Sequence, residues 1–118
     1  GYGARGRSEA EAAKILGDAR AVDDAGCFAL VVEGVMEPLG AAITQAVACP
    51  TIGIGASAQC DGQVLVIDDM IAMFERVPRF VKRYGDIATQ ISTMAAQYAG
   101  EVRARTFPTE EQIYRPKK

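Results

Sequence analysis

Histidine and tryptophan are both absent from the chain. Without histidine, Ser-His-Asp and Cys-His activation of a nucleophile and any metal cluster with imidazole ligands are excluded within these residues. Cysteine is scarce and odd in number. Cys27, Cys49 and Cys60 include no C-x-x-C pair, a pattern that fits reduced thiols serving as small core hydrophobes and not a disulfide scaffold or zinc site. No apolar run approaches the ~20 residues that span a bilayer, and the N-terminus lacks the positive, apolar and cleavage regions of a signal peptide. A cytoplasmic location with no membrane partner is the expectation. Basic stripes are missing too: 13 Lys and Arg stand against 15 Asp and Glu, for a net charge of -2. Nucleic acid is therefore not an expected partner.

Carboxylate, lysine, tyrosine and cysteine remain for chemistry. The 118 residues are 49% apolar and 24% charged, the composition of one soluble globular domain. The chain opens on Gly1 inside a glycine-rich stretch, Gly1-Tyr2-Gly3-Ala4-Arg5-Gly6-Arg7. It reads as a piece of a longer protein.

Ser8-Glu9-Ala10-Glu11 has the form of a capping box, in which the Ser8 hydroxyl accepts from the Glu11 amide and the Glu11 carboxylate reaches back to the Ser8 amide. Ala12, Ile15, Leu16, Ala19, Val22 and Ala25 then recur at helical spacing, and Gly26 stands where a left-handed stop residue is wanted. Cys27-Phe28-Ala29-Leu30-Val31-Val32 is an unbroken apolar run, which predicts a parallel strand buried on both faces. Pro38 suits the first turn of a second helix with Leu39, Ala42, Ile43, Ala46 and Val47 as its stripe, ended by Cys49-Pro50. Thr51-Ile52-Gly53-Ile54 is a second strand, and Gln63-Val64-Leu65-Val66-Ile67 a third, closed by Asp68-Asp69. The eight residues 55–62 between them are few for a parallel crossover, which usually takes a dozen or more. From Pro78 onward the pattern is helical over Phe80, Val81 and Tyr84, breaks at Gly85-Asp86, and resumes over Ile87, Ile91, Met94, Ala95, Tyr98, Ala99 and Val102 until Phe107-Pro108. The order of elements assigns the chain to the α/β class, with residues 1–108 as its folded part and 109–118 as a polar tail.

Glu33 directly follows the first apolar run, so a carboxylate stands at the C-terminal end of a parallel strand, where α/β sheets and barrels build their active sites. The plainer alternative is a loop anchor or helix cap ahead of Pro38. Asp68-Asp69 could offer oxygen ligands to a hard cation, although neighbouring residues on a strand point apart and solvated acids are the simpler reading. Gly1-Tyr2-Gly3-Ala4-Arg5-Gly6 satisfies G-x-G-x-x-G, and Gly53-Ile54-Gly55-Ala56-Ser57-Ala58 satisfies the variant ending in alanine. Neither has the strand-then-helix context of a phosphate loop, so glycine for a tight turn or a close backbone approach is preferred at both. Lys82-Arg83 and residues 103–105 read as solvated helix faces.

Taken together, Gly1-Tyr2 through Gly6-Arg7, Leu30-Val31-Val32-Glu33-Gly34-Val35, Pro50-Thr51-Ile52-Gly53-Ile54-Gly55-Ala56, Cys60-Asp61-Gly62-Gln63-Val64-Leu65-Val66, Asp69-Met70 and Pro78-Arg79-Phe80-Val81-Lys82-Arg83-Tyr84 resemble the ketopantoate hydroxymethyltransferase family. Order and spacing agree along nearly the whole chain. The resemblance implies a (β/α)8 TIM barrel, of which these residues are the C-terminal portion. It implies transfer of a hydroxymethyl group from the co-substrate 5,10-methylenetetrahydrofolate to 3-methyl-2-oxobutanoate, giving 2-dehydropantoate on the route to pantothenate and coenzyme A.

By motif match Glu33 is the base that takes the C3 proton of the keto acid, a role that suits a partly desolvated carboxylate. The implied Mg2+ chelates the substrate, with its protein ligands in the absent N-terminal half, so no residue here is assigned to the metal. Asp68 stands where the family often has histidine, and Ile71-Ala72 where Leu-Gly or a similar pair is common. A homo-oligomer is implied as well, since the family forms decamers. The competing readings are a small α/β nucleotide-binding module that uses residues 53–58 and an inactive fragment.

Overall fold

The computed structural model describes residues 3–116. Gly1 and Tyr2, which begin the first glycine-rich stretch, and the last two residues of the tail lie outside the described residues.

Helix α1 (Glu9–Asp24) begins at Ser8, whose side chain accepts from the Glu11 amide at 3.2 Å, as the capping signature requires. The reciprocal half differs. The Glu11 carboxylate accepts instead from the amides of Gly6 (2.9 Å) and Arg7 (3.2 Å), so it holds the incoming loop and not its own cap residue. At the far end Gly26 has φ of 88° and stops the helix where expected.

Strand β1 (Leu30–Glu33), helix α2 (Glu37–Ala46), strand β2 (Thr51–Ile54) and strand β3 (Gly62–Gln63) follow. The sheet is parallel throughout, in the order β1-β2-β3, with Leu30 opposite Thr51 and Ile52 opposite Gly62. A bridge between Arg5 and Val35, also parallel, sets the entering segment beside β1. Successive units thus advance across the sheet in one direction with no reversal. The chain is α/β, as expected, and its parallel strands with flanking helices are the segment of a barrel.

The core lies between the sheet and two helices. Ile43, Leu39, Val32, Val35 and Ala19 are buried together, with Ala12, Ile15, Leu16 and Val47 packed around them. Burial along β1 corrects the expectation of a strand covered on both sides. It starts three residues later than the apolar run, Val32 is buried on the helix side, and Val31 is 58% and Phe28 93% exposed. Side chains alternate between faces along a strand, and within these residues only one face of the sheet carries helices. Val31 and Glu33 share the bare face.

The seven-residue connection from β2 to β3, residues 55–61, contains turns and no helix. Its short span is held by side chains. Buried Ser57 donates to Glu37 Oε1 at 2.8 Å and accepts from the Gln59 amide at 3.0 Å, and Gln63 Nε2 donates to the Ser57 carbonyl at 2.8 Å. Asp61 Oδ2 accepts from both the amide (2.8 Å) and hydroxyl (3.1 Å) of fully buried Thr51, which holds the Asp61 carboxyl below its usual range.

Two further expectations are corrected downstream. The third strand does not extend to Ile67: only Gly62 and Gln63 are strand, Val64 adds one bond to Gly53 (3.0 Å), and residues 67–70 form a short helix α3 (Ile67–Met70). β3 is the sheet's edge here, with no next strand to pair with. Asp68 and Asp69 consequently occupy the first turn of α3, where acids meet the positive end of the helix dipole, and do not close a strand. Residues 78–84 are not helical. Phe80 packs on Gly55, and the Tyr84 amide donates to the Met70 carbonyl at 2.8 Å.

Helix α4 (Ile87–Ala104) starts at Asp86, whose carboxylate accepts from the Thr89 amide at 3.3 Å, and ends at Arg105. None of its residues is buried within this chain, and Ile91, Met94, Tyr98 and Val102 leave an apolar stripe exposed. Tyr98 meets Phe107 edge to face at 5.3 Å between ring centres. The tail carries one 3-10 turn, Glu110–Gln112, capped by Thr109. No described helix is long and apolar enough to cross a membrane.

Candidate active site

Glu33 is the last residue of β1, at the C-terminal end of the sheet and on its bare face. It lines a cavity of about 800 Å³ with Arg5, Arg7, Gly55, Arg79 and Phe80. That volume lies within the usual range for small-molecule sites. The expected partial desolvation of Glu33 is not provided by these residues, since its side chain is exposed. The bare face leaves it open.

Three elements shape the wall: the end of β1, the entering loop and the loop after α3. The entering loop, residues 3–7, is fixed to β1 by two backbone bonds, Arg5 N to Gly34 O (2.8 Å) and Met36 N to Arg5 O (2.9 Å). Glu11 fixes it again from α1. The amides of Gly6 and Arg7, together with the Arg5 guanidinium at 3.6 Å, hold the Glu11 carboxyl below its usual range. The third element is the long loop after α3. It returns over the end of β2 with Phe80 against Gly55, and so carries Arg79 to the cavity. Arg83 braces this loop with bonds to the carbonyls of Phe74 (2.8 Å) and Glu75 (2.7 Å).

The cavity wall therefore carries one carboxylate, Glu33, and three arginines, of which Arg5 pairs with Glu11 and Arg7 Nε donates to the Ala4 carbonyl at 3.1 Å. Such a surface suits an anionic ligand next to a proton acceptor. Glu33 was legible in the sequence; Arg5, Arg7 and Arg79 as its neighbours were not. The spacing from Pro78 onward predicts helix, and only the packing of Phe80 on Gly55 reveals where Arg79 goes.

Other sequence candidates fall elsewhere. Asp68 and Asp69 on α3 do not line the cavity. Gly53 lies inside β2 and Gly55, with φ of 61°, sits beneath Phe80, so the second glycine motif serves close packing and opens no helix. A dinucleotide fold also needs a reversal of strand order at its binding crevice, and this sheet has none.

Cysteine requires a correction. Cys60 is buried as expected, but Cys27 and Cys49 are half-buried and face one another, with sulfurs 3.4 Å apart. Burial, then the neighbouring Cys27 and Asp23 side chains, push the Cys49 thiol up to about 12. Asp23 itself is held below its usual range by the amides of Ala48 and Cys49, at 2.8 and 3.0 Å.

A carboxylate at the C-terminal end of a parallel strand, on the face away from the helices and ringed by loop residues, is the arrangement of a (β/α)8-barrel enzyme's active site. Residues 1–110 match the model of the family described as ketopantoate hydroxymethyltransferase, and the chain belongs to that family. It is 75% identical over 117 residues to a 3-methyl-2-oxobutanoate hydroxymethyltransferase of Novosphingobium aromaticivorans, a match covering 99% of this chain and 40% of that protein. Proteins of the same name from Erythrobacter litoralis and Sphingopyxis alaskensis are 68% and 65% identical, covering 99% and 97% of this chain and 40% of each relative. The chain thus spans about 40% of the length of the curated relatives it matches.

Proposed function

We propose that this chain supplies the proton-accepting wall of a hydroxymethyltransferase acting on 3-methyl-2-oxobutanoate and 5,10-methylenetetrahydrofolate. The observation that carries the proposal is the position of Glu33, at the end of β1 in a cavity lined by Arg5, Arg7 and Arg79. Family membership and the relatives' names support the substrate assignment.

In this reading a Glu33 carboxylate oxygen accepts the proton from C3 of the keto acid. The electron pair left on C3 forms a carbon–carbon bond to the folate methylene carbon, whose bonds to the two folate nitrogens break. Water supplies the hydroxyl group, and 2-dehydropantoate and tetrahydrofolate leave. Both substrates are anions, and the three arginines would orient their carboxylates while Glu33 stays near C3.

Magnesium, which the family resemblance implies, takes about six oxygen ligands in near-octahedral geometry. Among the described residues Glu33 is the one carboxylate on the cavity wall. These residues do not build a magnesium site, and its protein ligands belong to the rest of the barrel. The exposed apolar stripe on α4 supports assembly into a homo-oligomer. Sedimentation of the whole protein should then give a multiple of its chain mass.

Glu33→Gln in the whole enzyme is expected to abolish exchange of the C3 proton with solvent deuterium while keto acid binding persists. The Gln side chain keeps the size of Glu and loses the proton acceptor. Exchange at the parent rate in that variant would assign the base elsewhere.

A further inference from the structure

We propose that Asp23, Cys27 and Cys49 form a binding site for a soft divalent cation of the zinc class. The three residues come from separate places in the chain. Asp23 is in the last turn of α1, Cys27 in the loop entering β1, and Cys49 in the loop entering β2. Parallel pairing of β1 with β2 brings the two loops side by side, at the end of the strands opposite Glu33.

The donor atoms of all three lie within 4.8 Å of one another, and the two sulfurs are 3.4 Å apart. Two thiolates on one tetrahedral zinc, with bonds of ~2.3 Å, sit about 3.7 Å from each other. The two sulfurs would need to separate by only a few tenths of an ångström to share the ion, with the Asp23 carboxylate closing on it from within 4.8 Å. The carboxylate is already oriented: Oδ2 accepts from the Ala48 amide (2.8 Å) and Oδ1 from the Cys49 amide (3.0 Å), the outer bonds that typically fix a metal-binding carboxylate.

Asp23 and Cys27 are half-buried, so solvent can reach the cluster from their side and water can fill a fourth position. Thiolate donors select zinc-like ions over magnesium. On binding, two sulfur–metal bonds and one oxygen–metal bond form, and the two thiol protons pass to solvent. The site is independent of the cavity at Glu33 and does not rest on the transferase reading.

The test uses the whole protein, reduced with a phosphine, and cobalt(II) alone as probe. One ion per chain should bind, with a sulfur-to-cobalt charge-transfer band of two-thiolate intensity that zinc removes and excess magnesium does not. Cobalt held only by oxygen elsewhere gives no such band. Cys27→Ser and Cys49→Ser should each lose half of the band or more, Asp23→Asn should weaken binding while leaving the band in place at cobalt excess, and Cys60→Ser should change nothing. The unaltered protein alone can refute the proposal, whether or not the variants fold. Absence of the band under cobalt excess overturns it, as does finding the phosphine-treated protein lighter by the two hydrogens of a Cys27–Cys49 disulfide. Persistence of the band in the Cys27→Ser/Cys49→Ser double variant also overturns it.

Discussion

Replacing Gly55 by alanine separates two costs that the fold imposes at one residue. Gly55 has φ of 61°, a conformation that costs an L-residue about 1–2 kcal/mol. An added Cβ would also fall on the Phe80 ring, against Cδ1 and Cγ and 3.0 Å from Cε1. Forcing a methyl into such a contact adds about 1–3 kcal/mol, so Gly55→Ala should destabilise by about 2–5 kcal/mol in all. Gly26 is the control, because it has φ of 88° but nothing within 4 Å of its would-be Cβ. Gly26→Ala should cost the backbone share alone, about 1–2 kcal/mol. Urea denaturation of the whole protein measures both variants. Gly55→Ala should further cost only that backbone share when placed on Phe80→Ala, giving a coupling of about 1–3 kcal/mol between the two positions. Equal costs at Gly55 and Gly26, or a Gly55 cost unchanged by Phe80→Ala, would refute the packing argument. Confirmation would tie Arg79 to the cavity through the ring next to it.

Ile43 is 1% exposed at the centre of the core. Ile43→Ala removes three carbons worth about 2.4 kcal/mol in transfer and leaves a cavity, so a total loss of about 2–5 kcal/mol is expected in urea, against about 0.5–1.5 kcal/mol for Ile43→Val. Asp61, held below its usual range by Thr51, contributes stability that is present above about pH 3.9 and is lost as pH falls through its lower folded value. The stability difference between the parent and Asp61→Asn should accordingly be flat near neutrality and narrow below about pH 4, as followed by denaturation at a series of pH values. Ser8→Ala should cost about 1 kcal/mol, since it removes the side-chain acceptor at the start of α1. A loss within error of zero would show the cap to be replaced by solvent.

Local signals proved the most legible. Ser8 and Gly26 mark helix ends, and Gly85-Asp86 a break in the pattern, because each acts on backbone within a few residues. Thr51–Ile54 was readable because it is a central strand, paired on both sides. At the chain's margins the same reasoning failed. The run at Val64–Val66 has β-forming residues but no outer neighbour, and the helical spacing at Phe80–Tyr84 was overruled by a ring contact with a distant glycine. Glu33 was visible because a strand end is a sequence feature. The arginines around it, and the meeting of Cys27 with Cys49, depend on which loops the sheet sets next to each other, and residue spacing does not record that. Glu11 lies between these cases: the capping signature points to its carboxylate, which reaches past the cap to the loop ahead of it.

The one-way order of the strands bears on how the chain reaches its fold. Each strand meets the one that comes next in the chain: the partners Leu30 and Thr51, and Ile52 and Gly62, close spans of about 20 and about 10 residues. Closure entropy rises only about 0.6 kcal/mol for each doubling of span, so neither pairing waits on a distant part of the chain. Folding can therefore proceed like a zipper, each completed unit presenting the edge on which the next assembles. The edge left at β3 remains adhesive until another part of the barrel covers it, and a stall in folding before that point would favour association between chains.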